Sequence, residues 1–101
     1  MTKEELRIYL ENRIDNYSYM IPEHMHDAVK RYVLDHIEPG SFLTSILLND
    51  LKEAAARADE TNRAALANWA SFCVNALPTV CWGNAERVDK WLDYSTIDEA
   101  L

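Results

Sequence analysis

Six residues of this chain have a polar or aromatic side chain at a position that favours chemistry or binding. When the residues of each predicted helix are placed at 100° steps, a polar side chain falls near the middle of the apolar arc in each of the first four helices. A buried polar group without a partner costs about 1–3 kcal/mol, so we expect these side chains to pair with one another or with water. Together with a tryptophan in an irregular loop, they are the candidate binding residues: Arg13, His36, Asp50, Arg57, Asn62 and Trp82.

Three interpretations of these polar side chains stay open. The first is a satisfied core network around a buried Asp50, whose donor would be Arg13, Arg57, His36 or a tyrosine. The second is a polar pocket between helices that accepts a small ligand. The third is a catalytic pair of His36 and Asp50, but no nucleophile accompanies this pair, and we expect the protein not to be an enzyme.

Metal and cofactor chemistry is not indicated by the spacing of the ligand-type residues. His24 and His26 are two apart, so on a helix their rings point to different sides. Cys73 and Cys81 lack the close spacing of structural zinc sites, and no glycine-rich phosphate loop or serine nucleophile elbow is present. We therefore expect no cofactor, no metal, and two reduced thiols of a cytosolic protein.

Charge and composition narrow the class of partner. The chain has 101 residues, which fits one domain over 1–101, and 17 acidic against 10 basic residues give a net charge of −7. A nucleic-acid binder normally carries a basic face, so we expect no direct nucleic-acid contact and favour a partner with a basic surface. No apolar run approaches the length of a membrane span, so we expect no membrane contact.

The stretch from Ser41 to Leu77 must position three of the six candidates, Asp50, Arg57 and Asn62. It has no Gly or Pro, and its apolar residues recur at helical spacing on either side of a polar cluster. We interpret it as a central helical hairpin with Asp59 as the N-cap of its second helix, while one continuous helix stays an alternative. The fold class is then all-α, a compact bundle of four main helices and a short C-terminal one, over about 3–15, 22–37, 42–58, 60–77 and 85–94.

Local signals predict where these helices begin. Thr2 and Glu5 have the spacing of a capping box. Pro22 suits a first helical position, and Ser41 and Asn84 are expected N-caps.

Several apolar residues fall outside the predicted core arcs. They lie on different helices, which favours an interface, and we expect a homodimer rather than a monomer; they are Ile8, Leu34, Leu48 and Val74. Trp82 lies in a loop that contains Pro and Gly, where it is either a lid over the end of the bundle or an exposed anchor for a partner.

The order of several short motifs resembles a group of short helical proteins, without an assigned activity, that tailed bacteriophages encode. The resemblance covers about Ile21 to Leu92. It is carried by Pro22, Arg31-Tyr32-Val33, Pro39-Gly40-Ser41-Phe42-Leu43, Asn49-Asp50-Leu51, Ala58-Asp59, Asn62, Pro78, Trp82-Gly83 and Trp91. It implies a phage origin and no catalytic residues.

A phage origin implies a function by analogy with other small acidic phage proteins outside the virion. We expect an anti-defence protein, for example an anti-CRISPR, that acts in the host cytoplasm and inhibits a bacterial host component by direct protein contact. The alternative is an oligomeric sponge for a small nucleotide-like signalling ligand. Such a sponge would need basic side chains from two subunits, drawn from Arg13, Lys30, Arg31, Arg57 and Arg63.

Overall fold

The chain is entirely helical in the structure, a computed structural model that describes all 101 residues. Eight α-helices follow one another: α1 (Lys3–Tyr17), α2 (His26–Asp35), α3 (Ser41–Leu47), α4 (Leu51–Arg57), α5 (Glu60–Ala64), α6 (Leu66–Ala76), α7 (Ala85–Asp93) and α8 (Ile97–Ala100). Short 3-10 turns lie at Ser18–Met20, Glu23–Met25 and Thr79–Cys81. The all-α prediction is confirmed, whereas the predicted count of four main helices and a short fifth is wrong.

Side-chain caps begin several helices where the sequence predicted them. Thr2 Oγ1 accepts from the amide of Glu5 at 3.1 Å, and the Glu5 carboxylate accepts from the amide of Thr2 at 3.2 Å, which completes the capping box. Asp59 and Asn84 cap α5 and α7 with a single bond each, in which the side chain accepts from the amide three residues ahead. The prediction for Ser41 is wrong, because Gly40 is the N-cap and Ser41 is already the first helical residue.

The predicted helix over 42–58 is two helices. α3 ends at Leu47 and α4 begins at Leu51, because Asn49 takes a left-handed conformation with φ of 62°. Asp50 then caps α4 by accepting from the amide of Glu53 at 3.1 Å. Asn and Asp side chains offer the backbone hydrogen bonds that compete with a continuous helix, and here two adjacent ones end it.

The predicted helix over 60–77 is also interrupted, although no Gly or Pro stands in it. Ala65 has φ of −101° and ψ of 11°, and its amide bonds to the carbonyl of Asn62, three residues back, at 3.1 Å. This tight turn separates α5 from α6. The expected hairpin at Asp59 is therefore built from four shorter helices, α3 to α6, rather than two long ones.

The predicted helix over 22–37 starts later and ends earlier. Pro22 precedes the 3-10 turn at Glu23–Met25 and is not the first residue of an α-helix. At the other end His36 is left-handed with φ of 57°, and the amide of Ile37 bonds back to the carbonyl of Arg31 at 3.2 Å. The amide of His36 itself bonds to the carbonyl of Tyr32, four residues back, at 3.1 Å. This is a left-handed C-cap, a position that usually takes glycine.

One apolar core joins the helices. α1 packs against α2, α6 and α8, while α3 packs against α4 and α6. The largest fully buried side chains are Trp69, Trp91, Tyr32 and Phe72. No helix combines the length and the apolar character needed to cross a membrane.

Candidate functional site

The six candidate binding residues do not form one cluster. Arg13 links α1 to α6, because its guanidinium donates to the backbone carbonyl of Asn75. The same guanidinium lies 5.8 Å from the centre of the Tyr17 ring, within the range of a cation–π contact. Arg13 is thus held by structural contacts at the surface of the bundle.

His36 packs into the aromatic part of the core. Its ring centre lies 4.8 Å from that of Trp91, and its Nδ1 is 2.7 Å from the Trp91 carbonyl oxygen. A carbonyl can only accept, so Nδ1 carries a proton and donates. His36 Nε2 is enclosed without a partner, and no hydrogen bond joins His36 to Asp50.

Asn62 is the one candidate that is a buried polar residue of the core. It is 3% exposed, and its Oδ1 accepts from the indole Nε1 of Trp69 at 3.1 Å. Trp69 is fully buried, so this amide satisfies the only polar atom of its side chain. For Asn62, the interpretation as a satisfied core residue is therefore the one that fits.

Replacement of Asn62 with alanine is expected to lower the free energy of unfolding by about 1–3 kcal/mol, because it strands the buried indole N–H of Trp69. Urea unfolding measures the change. Asn75→Ala is the matched control, since Asn75 is exposed, and it is expected to stay within about 0.5 kcal/mol of the parent chain. Equal effects of the two substitutions would contradict the assignment.

The prediction that Asp50 is buried and pairs with another element is wrong. Asp50 is exposed, and its Oδ1 is used locally to cap α4. Arg57 is exposed as well and pairs with Glu53 one helical turn away at 3.0 Å. Both positions were inferred from the phase of a continuous helix over 42–58, and the break at Asn49 changes that phase.

A shallow apolar groove is the feature that brings two of the candidates together. It lies between α3, α4 and α6, has a volume of about 260 Å³, and includes both Asp50 and Trp82. Its lining is completed by Ser45, Ile46, Asn49, Leu51, Ala54, Leu66, Ala70, Cys73 and Val74. We call this feature the α4–α6 groove.

Exposed aliphatic side chains stand at the α4–α6 groove. Leu51 is 71% exposed and Val74 is 69% exposed. Val74 was already among the residues outside the predicted core arcs, whereas Leu51 was not. Of the other three residues in that set, Ile8 is exposed, Leu48 is partly buried, and Leu34 is buried, so the expectation is wrong for Leu34.

Trp82 is held beside the groove by its own loop. The amide of the next residue, Gly83, donates to the carbonyl of Leu47 at 2.7 Å, which ties the loop to the end of α3. Trp82 is half-buried, and its indole Nε1 is enclosed without an acceptor. Its position is thus intermediate between the expected lid and the expected exposed anchor.

Burial controls the ionisation of the two thiols, Cys73 and Cys81. Burial raises the pKa of Cys73 to about 12, and it also raises the pKa of Cys81 and of Tyr32. The Tyr32 hydroxyl donates to the Cys81 carbonyl at 2.6 Å, so these groups belong to one packed region. A protonated buried thiol is a weak nucleophile.

These raised pKa values predict a loss of stability in alkali. In the unfolded chain a cysteine ionises near pH 8.5 and a tyrosine near pH 10, so above about these values the unfolded state releases protons that the folded state keeps. Stability is fully present below about pH 8.5 and is expected to fall above it by about 1.4 kcal/mol per pH unit for each of the two thiols, with Tyr32 adding to the decline only above about pH 10. Urea unfolding between neutral pH and about pH 10 measures the slope.

The control for that experiment removes both thiols. In a Cys73→Ala/Cys81→Ala variant the decline is expected to begin only near pH 10, where tyrosine ionises in the unfolded chain. A parent chain whose stability stays level through this range would contradict the account.

No group of three or more His, Cys, Asp or Glu side chains lies close enough together to hold a metal ion. In the comparisons with known proteins, no family model matches the chain, and no curated protein or solved structure matches it either. The resemblance to phage proteins therefore remains an interpretation of residue order, and the α4–α6 groove is the structural feature that bears on function.

Proposed function

We propose that this chain is a non-enzymatic accessory protein of phage origin that inhibits a bacterial host component by direct protein contact in the host cytoplasm. The observation that carries the proposal is the α4–α6 groove with Leu51 and Val74 exposed beside it. Large exposed aliphatics that flank an apolar hollow are typical of protein interaction sites. The phage origin depends on the residue order from Ile21 to Leu92.

The size of the groove favours side chains of a protein over a free ligand. Ligand pockets usually have volumes of roughly 300–1,000 Å³, whereas the groove has about 260 Å³ and is open along one side. Its eleven lining residues include no Lys or Arg. A nucleotide needs cations around its phosphates, so this groove suits apolar protein side chains better.

The charge of the chain supports a partner with a basic surface. The net charge is −7, and complementary charge speeds the encounter of two proteins while apolar contacts hold the complex. A host enzyme or effector that itself binds nucleic acid presents such a surface. The proposed mode of action is that the acidic domain occupies this surface.

The nucleotide sponge is the second candidate, and one hollow supports it. A hollow of about 420 Å³ beside α7 includes Arg87 and Lys90. However, Lys90 pairs with Glu86 at 3.1 Å, and Arg87 donates to the Trp82 carbonyl at 3.4 Å. An anion would have to displace these contacts, which makes the sponge the weaker proposal.

Affinity capture from a bacterial host lysate tests the proposed function. A partner that binds through the groove is expected to be recovered with the parent chain and lost with Val74→Asp, which puts a carboxylate at the groove. Ile8→Asp is the matched control, since Ile8 is a β-branched aliphatic on α1, is 56% exposed and does not line the groove.

Two results would overturn the proposal. One is capture that Val74→Asp and Ile8→Asp reduce equally. The other is recovery of no protein partner while a cyclic or linear nucleotide raises the melting temperature of the purified domain, which would favour the sponge.

A further inference from the structure

We propose that the α4–α6 groove accepts an amphipathic helix of the partner, with apolar side chains in the groove and a lysine or arginine against Asp50. This inference depends on the proposed function, and it adds the kind of segment that is recognised. It is carried by three observations: the helical walls of the groove, the mainly apolar lining with Asp50 as its one charged residue, and the charge of the chain.

The architecture selects the mode of recognition. An extended peptide is usually held by adding a strand to the edge of a sheet, and this chain has no strand. The groove walls are instead α3, α4 and α6, and a trough between helices is the surface on which amphipathic helices dock through anchors three and four residues apart. The volume of about 260 Å³ limits the contact to a few such anchors.

The charged residue in the groove lining indicates the sign of the charge that the occupant should carry. Most of its lining is apolar, while Asn49 and Asp50 in that lining are polar and exposed. Asp50 Oδ1 accepts from the amide of Glu53, which leaves Oδ2 available to an incoming cation. Because no Lys or Arg lines the groove, an acidic segment would find no counter-charge there.

The charge also argues against a second copy of this chain as the occupant. Two copies each carry −7, so a dimer joined at its grooves would bring like charges together. Such a dimer would also place two Asp50 carboxylates at one interface. A basic amphipathic helix gains attraction from the same charges.

Three synthetic peptides test the inference, each long enough to form a helix, about 15 residues or more. The first has leucines three and four residues apart with lysines on the opposite face and at one end. The second is its acidic twin with glutamates in place of the lysines, and the third has the composition of the first in an order without a helical apolar face. Binding is followed by tryptophan fluorescence, since Trp69 and Trp91 are fully buried and Trp82 is the half-exposed reporter.

We expect the basic amphipathic peptide to bind at least about tenfold more tightly than its acidic twin at low salt. Val74→Asp is expected to abolish this binding, and Ile8→Asp to leave it unchanged. Asp50→Asn keeps a residue that caps helices well but removes the charge, so it is expected to lower the preference for the basic peptide about threefold. A Trp82→Phe chain should lose the fluorescence change.

Several results would overturn the inference. They are equal binding of the acidic or scrambled peptide, binding that Val74→Asp leaves unchanged, self-association through the groove in place of peptide binding, and no binding of any peptide. If no peptide binds while capture of a host protein still depends on Val74, the proposed function stands and the helical mode fails. If capture is also independent of Val74, the proposed function fails as well.

Discussion

Replacement of Trp91 with alanine is expected to lower the free energy of unfolding by about 3–5 kcal/mol. Trp91 is fully buried, and its indole Nε1 donates to the backbone carbonyl of Tyr32 at 3.0 Å. Its ring also contacts those of His36 and Tyr94, with ring centres 4.8 and 6.4 Å away. The substitution therefore opens a cavity where α7 meets α2 and removes one of the two hydrogen bonds that the Tyr32 carbonyl accepts.

A loss of this size is a large part of the roughly 5–15 kcal/mol by which a small domain is stable. Urea unfolding followed by circular dichroism measures it. Trp91→Phe separates the two contributions, because it keeps most of the apolar volume and removes only the N–H, and its cost should be clearly smaller. If Trp91→Ala lowered stability by less than about 1 kcal/mol, a typical value for an average substitution, the packing described here would be wrong.

Val74→Asp is expected to weaken binding of the captured host protein by at least about thirtyfold, which corresponds to the 2 kcal/mol or more lost at an interface hot spot. Val74 lies on α6 in the lining of the α4–α6 groove, so a carboxylate there would be desolvated against the apolar side chains of the partner. The effect should appear mainly as faster dissociation. Surface plasmon resonance with the purified partner measures both rates.

The folded domain should not be affected by this change, because Val74 is 69% exposed. The melting temperature of Val74→Asp is therefore expected to stay close to that of Ile8→Asp. Unchanged affinity of Val74→Asp would remove the groove from the interface, whereas reduced affinity together with unfolding would leave the two effects to be separated by Val74→Ala.

The sequence predicted those parts of the fold that depend on local chemistry. The capping box at Thr2 and the caps at Asp59 and Asn84 are confirmed, since each requires only one side chain within reach of an amide two or three residues ahead. The helical period of the apolar residues likewise predicted an all-α chain without a sheet, which is confirmed.

The breaks inside helices could not be predicted in the same way. Asn49, Ala65 and His36 each depart from helical geometry. Asn and His are enriched in the left-handed region that Asn49 and His36 adopt, but residue type alone does not show at which Asn or His a helix ends. His36 takes that conformation while its ring packs on Trp91 and its amide bonds to the Tyr32 carbonyl. Such contacts between distant residues leave no local signal.

The same breaks within the predicted helices explain which candidate site residues were assigned to the wrong face. A helical wheel assigns faces correctly only while the helix continues, so the wheel over 42–58 placed Asp50 and Arg57 inside when both are exposed. Asn62 was identified correctly as a buried polar residue, because α5 keeps its phase from the Asp59 cap. Leu51 was not identified as a groove residue for the same reason that Asp50 was assigned to the wrong face: both residues follow the left-handed Asn49.

Backbone hydrogen exchange of this protein, free and bound to a host protein recovered by affinity capture, tests the central claim most directly. The footprint of the partner locates the interface without any substitution. If the α4–α6 groove is the docking surface, amides within residues 45–54 and 66–74 should exchange more slowly in the complex, with α1 unchanged. Protection confined to α1, around Ile8, with no change in residues 45–54 and 66–74, would contradict the account.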